Sequence, residues 1–89
     1  MKVYRLGPID PDSGSWRFSK EYDIVWACAP NPRSARHLVA SRTGVTVRDA
    51  EAVESPWENE AVTSCVPDPS MSRMRAETVV RQDGSLVRN

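Results

Sequence analysis

Six apolar residues in a row, Ile24-Val25-Trp26-Ala27-Cys28-Ala29, stop at Pro30 and give way at once to Asn31-Pro32 and a helical pattern. A run this short and this apolar on both of its faces predicts a central strand, covered on both sides or lying at the heart of a small sheet. The helix that follows carries its own start signal. Asn is a favoured N-cap, and Pro at the first helical position forfeits no hydrogen bond. Ala35, Leu38 and Val39 then recur at helical spacing as an apolar stripe, with Arg33, Arg36 and Arg42 beside it. Gly44 reads as a left-handed C-terminal stop. This strand-then-helix unit, residues 22–44, organises everything else in the chain.

Around it the signals are for short strands. Lys2 to Leu6 is rich in β-formers and is expected to end at Gly7-Pro8. Residues 8–15 have the turn chemistry of a loop. Trp16 and Phe18 sit two apart, so an extended segment would turn both to one side to plug an edge of the core. Val45-Thr46-Val47 and Val62 to Val66 read as further strands. The prolines at 67 and 69 open a stretch, 67–76, that predicts a mobile connector before a C-terminal hairpin over 77–89. There Asp83-Gly84 reads as a type I′ two-residue loop, pairing Val80 with Val87 and Arg81 with Leu86. The sum is α+β: one domain with a small antiparallel or mixed sheet of four to five short strands and one helix packed on a face.

At 89 residues the chain has room for one thin core, which dimerisation would reinforce. No segment approaches the roughly 20 apolar residues needed to cross a bilayer. Residues 1–10 lack the apolar centre of a signal peptide. The expected address is therefore cytoplasmic, with no membrane partner. Cys28 and Cys65 are expected as free thiols, since disulfides are rare in a reducing compartment.

Catalytic patterns are sparse. His37 is the only histidine, set mid-helix with no partner spaced to suggest itself. Cys28, Cys65 and His37 show no C-x-x-C spacing and lack a fourth ligand, so no metal is expected. The four glycines, at 7, 14, 44 and 84, make no phosphate-binding loop, and no cofactor is expected. A cysteine nucleophile near His37 is the enzymatic alternative.

Charge is balanced in sum, 12 basic against 12 acidic, but segregated along the chain. Residues 1–44 and 71–89 carry basic surpluses, while residues 45–70 hold Arg48 against six acids. Nearly all the positive charge is arginine, which suits bidentate pairing with carboxylates or phosphates. An acidic patch bearing Glu54, Glu58 and Glu60 around Trp57, together with Arg33 and Arg36, is the candidate partner-binding surface. Trp57 is a candidate for either core or interface, and Trp16 is a second aromatic of the kind favoured at hot spots. Together these features predict a non-enzymatic protein-interaction module. The alternative is an arginine-based nucleic-acid binder using Arg33, Arg36, Arg42, Arg73, Arg75, Arg81 and Arg88, against which stands a pI near 6.6.

The order Trp16 to Ser19, a strand through Trp26-Ala27, Ser34-Ala35-Arg36 to Ala40 on a helix, Ser55-Pro56-Trp57 and Thr63-Ser64-Cys65 resembles small proteins of bacterial genomes and their phages. The resemblance covers residues 16–65. Among proteins of this size and origin the chain is similar in style to the anti-CRISPR inhibitors, which lack enzymatic motifs and act by covering a surface. What the resemblance implies is a phage or mobile-element inhibitor whose partner is a CRISPR effector subunit. A homodimer is a further option.

Overall fold

A computed structural model describes residues 1–44, 55–71 and 73–87. Strand β1 (Lys2–Pro8) is followed by a short 3-10 helix, Gly14–Phe18, then by β2 (Val25–Ala29) and α1 (Pro32–Thr43). A second 3-10 turn, Pro56–Glu58, precedes β3 (Thr63–Pro67), and a third, Pro69–Met71, follows it before β4 (Val79–Arg81). The sheet order is β3-β1-β2-β4, antiparallel at every junction. Among the described residues the fold is α+β, with four strands and one helix packed on a face.

The topology explains the position of the helix. β2 and β3 both run antiparallel to β1, so they are parallel to each other with β1 between them. A connection between parallel strands must cross the sheet, and a helix is the usual means. α1 lies on that crossover. Alternation along the strands sends Tyr4 and Leu6, Val25, Ala27 and Ala29, and Val79 to the helix side, where they are buried with Ala35 and Val39. The small residues at 27, 29 and 35 let helix and sheet approach closely.

Local chemistry accounts for the helix ends. Asn31 is extended and its side chain accepts the Ser34 N–H at 2.8 Å, the N-cap expected of it. Gly44 is different from expectation. It has φ −63 and is extended rather than left-handed. It forms a bridge with Ser19, and the Lys20 N–H donates to Thr43 O at 2.8 Å, so a neighbouring segment satisfies the last turn.

Other boundaries also move. β1 continues through Gly7 and Pro8 because β3 pairs with both. A Cβ on Gly7 would meet Ile24 Cγ1 at 3.1 Å, so the missing side chain makes room for Ile24. Trp16 belongs to a 3-10 helix, not an extended segment; Ser13 caps it, and Trp16 Nε1 donates to Asp10 O at 2.8 Å. Within 67–76 the described residues include the Pro69–Met71 turn and Asp68, which accepts from Trp26 Nε1 at 2.8 Å.

The hairpin closes differently too. Val80 bridges Leu86, not Val87. The Gly84 N–H donates to Arg81 O, the Arg81 N–H to Ser85 O, and of the loop residues only Gly84 has positive φ, at 86. That is a three-residue loop, a type I turn closed by a left-handed glycine, and not type I′. The strand expected at 45–47 and the candidate Glu54 lie outside the described residues.

Candidate functional site

The first half of α1 faces the Pro56–Glu58 turn, and this junction gathers Arg33, Arg36, Glu58 and Glu60. The turn is held against the helix from beneath. Trp57 has no exposed surface, and its ring meets Trp16 edge-on, with centroids 5.1 Å apart and planes at 90°. Its Nε1 donates to Ser19 Oγ at 2.8 Å. Thr63, also fully buried, donates from Oγ1 to Pro56 O. With Trp57 anchored, Glu58 and Glu60 are carried to the surface beside the helix.

Two adjoining clefts result, and Arg33, Arg36 and Glu58 line both. His37 and Leu38 extend one of them, and Asn59 and Glu60 the other. One wall therefore presents the arginines of α1 and the other the carboxylates of the turn. Arg36 is partly committed, because its Nη1 donates to Trp57 O at 3.1 Å. The side chains of Arg33 and Glu60 make no hydrogen bond or ion pair with any described residue.

No family model, curated protein or solved structure matches the chain.

The partner that sequence spacing did not reveal for His37 is Glu58. His37 Nδ1 lies 2.8 Å from Glu58 Oε1. A carboxylate only accepts, so the Nδ1–H donates. The residues are 21 apart in sequence and on different elements. His37 is 78% exposed along its side chain, so the pair lies in high dielectric at the cleft rim. The helix hydroxyl one turn on is turned away from it, since Ser41 Oγ donates to Leu38 O at 2.7 Å.

The cysteines are free, Cys28 buried and Cys65 half-buried. Burial pushes the Cys65 thiol above its ordinary pKa, and the nearby Arg36 only partly opposes this. Such a thiol is held protonated, unlike an activated nucleophile. Among the described residues no three His, Cys, Asp or Glu side chains come together as a metal site. No helix among them is long and apolar enough to cross a membrane.

Of the six residues proposed for partner binding, Arg33, Arg36, Glu58 and Glu60 are brought together. Trp57 is core, so it supports that surface from below instead of presenting its ring to a partner. Trp16, 5% exposed, is likewise core. Of the arginines in the alternative stripe, Arg42 donates to Glu77 O at 2.8 Å and to Val87 O, Arg81 donates to Glu21 Oε1 at 2.7 Å and to Leu86 O, and Arg88 lies outside the described residues.

Proposed function

We propose that the chain is a non-enzymatic protein-interaction module that docks on a partner through the cleft between α1 and the Pro56–Glu58 turn. The observation that carries this is the convergence of Arg33 and Arg36 with Glu58 and Glu60 on opposite walls of one surface, with Arg33 and Glu60 unspent inside the fold. A wall of each sign selects a protein segment bearing acidic and basic groups side by side. It disfavours a uniformly negative polymer, because Glu58 and Glu60 would repel phosphates. The nucleic-acid alternative is weakened again by Arg42 and Arg81, whose guanidinium groups are tied to the chain itself.

The resemblance to small mobile-element inhibitors directs the first search for a partner to CRISPR effector subunits, in a bacterial cytoplasm. The test is a tagged pull-down from a lysate carrying such effectors, with and without nuclease, read by mass spectrometry. The reading expects one stoichiometric protein that persists after nuclease. Arg33→Glu with Glu60→Lys, changed together, should weaken its capture about tenfold, the effect of roughly 1.4 kcal/mol, while the melting curve stays unchanged. Capture that survives this double reversal, or that vanishes with nuclease, overturns it.

A further inference from the structure

β3 and β4 are the two edges of the sheet, so the chain between them has to pass β1 and β2. It does so at one end, over a single cross-strand pair. The Asp68 N–H donates to Val3 O at 2.8 Å, and the Glu77 N–H to Cys28 O at 2.9 Å. Val3 and Cys28 stand opposite each other in the β1–β2 register, and alternation turns both away from α1. The Cys28 N–H donates to Thr78 O, so its backbone bonds run toward the β4 side and not toward Val3. The pair is therefore of the closer, non-hydrogen-bonded kind. Between it and the crossing segment lies a cavity of about 480 Å³, walled by Pro67, Pro69 and Ala76.

The donors around this cavity are sulfur. Cys28, Met74 and Met1 all line it, three of the chain's five sulfur-bearing side chains. Cys28 lies in the floor, free and 5% exposed, and its thiol makes no hydrogen bond with any described residue. Half-buried Met74 comes from the crossing segment. Met1, two residues before Val3, is the diagonal neighbour of Cys28, about 7–8 Å away, a gap that a long side chain spans. Oxygen is withheld, because the one carboxylate in the lining, Asp68, accepts from Trp26 Nε1 and from Ser70. We propose that this cavity is a copper(I) site, with the Cys28 sulfur as thiolate ligand and the Met74 and Met1 thioethers beside it. Thiolate and thioether are soft ligands, and among biological metals they select copper(I). Methionine's three rotatable bonds let both thioethers turn onto the ion. On binding, the Cys28 S–H bond breaks, a copper–sulfur bond forms and the proton leaves to solvent, with no change of oxidation state. The single positive charge of copper(I) then cancels the thiolate, whereas a divalent ion would leave a charge among apolar walls. This donor set differs from Cys28, Cys65 and His37, which lack metal spacing in the sequence. Neither Cys28 nor Met74 lines the mixed-charge cleft, so the site is independent of the docking proposed there.

Anaerobic titration of the reduced full chain with copper(I), supplied as its acetonitrile complex against a copper(I)-chelating dye, tests this. One equivalent should be withdrawn from the dye, with a thiolate-to-copper charge-transfer band in the ultraviolet. Met74→Leu, which nearly conserves volume, should weaken retention about tenfold or more, the cost of losing a supporting contact at a metal. Cys28→Ala should abolish the band, and Cys65→Ser should leave both readouts unchanged. Prolonged alkylation read by mass spectrometry gives an independent measure: with copper(I) bound, Cys65 is labelled and Cys28 is protected. Zinc(II) in place of copper(I) should protect neither. Copper(I) left wholly with the dye, retention indifferent to Met74→Leu, protection of Cys65 in place of Cys28, or equal protection by zinc(II) overturns the proposal.

Discussion

Trp57 has a single polar side-chain atom, and its bond to Ser19 Oγ is buried with it. Ser19 in turn donates to Glu21 O at 2.8 Å, so one hydroxyl ties the Pro56–Glu58 turn to the segment before β2. Ser19→Ala leaves the indole N–H without an acceptor and should cost about 1–3 kcal/mol in a urea-unfolding experiment. Trp57→Ala also empties the space against Trp16 and should cost about 3–5 kcal/mol, enough to unfold a domain this small. Asp68 gives a residue-scale pH dependence. Hydrogen bonds from Ser70 and Trp26 favour its charged form and hold its pKa below the ordinary carboxylate range. With the folded value depressed, its stabilisation is present above the unfolded pKa of about 3.9 and is lost as pH falls through the folded value. Asp68→Asn cannot titrate, so the Tm advantage of the native chain over it should narrow as pH drops below about 3.9.

At the scale of elements, the ends of α1 and the C-terminal hairpin have different guardians. The N-terminus depends on one side chain, so Asn31→Ala should lower stability by about 1 kcal/mol in thermal or urea melts. The hairpin depends on backbone freedom. Gly84 at φ 86 sits where a side chain is rarely tolerated. Gly84→Val should cost about 1–2 kcal/mol, and Gly84→Asn clearly less, since Asn visits that region more readily. A Val variant melting with the native protein would show that the loop is not closed as described.

Over the whole molecule the two cysteines sit on opposite faces of the sheet, Cys65 toward α1 and Cys28 away from it. Their reactivity therefore reads global integrity. Cys28 is 5% exposed, and Cys65 is half-buried with its thiol pKa raised. Mild alkylation of the native chain at neutral pH should be slow at both, with Cys65 first. Two thiols should react at once in denaturant, as expected of cysteines that form no disulfide. Prompt loss of both under native conditions would mean that the sheet opens far more readily than its packing implies.

What could be read from the sequence is what short-range chemistry decides. The strand at 25–29, the helix opened by Asn31-Pro32, the strands near both ends and the α+β class follow from apolar runs, caps and breakers that act within a few residues. Arg33, Arg36, Glu58 and Glu60 could be named because charge is visible in a sequence. Their meeting in one cleft could not, since it depends on a crossover that lays Arg36 and His37 of α1 beside Trp57 and Glu58, each 21 residues on. The same crossover supplies Glu58 to His37 and buries Trp57. The hairpin register was ambiguous for a related reason: Asp-Gly fits either a two- or a three-residue loop, and the pairing of β4 with β2 selects the latter. Gly44 escaped its expected left-handed turn because Ser19 and Lys20 complete the helix end instead. Local sequence thus determined the elements, and tertiary packing decided their faces and partners, because a contact between distant residues has no local signature until the chain has closed around it.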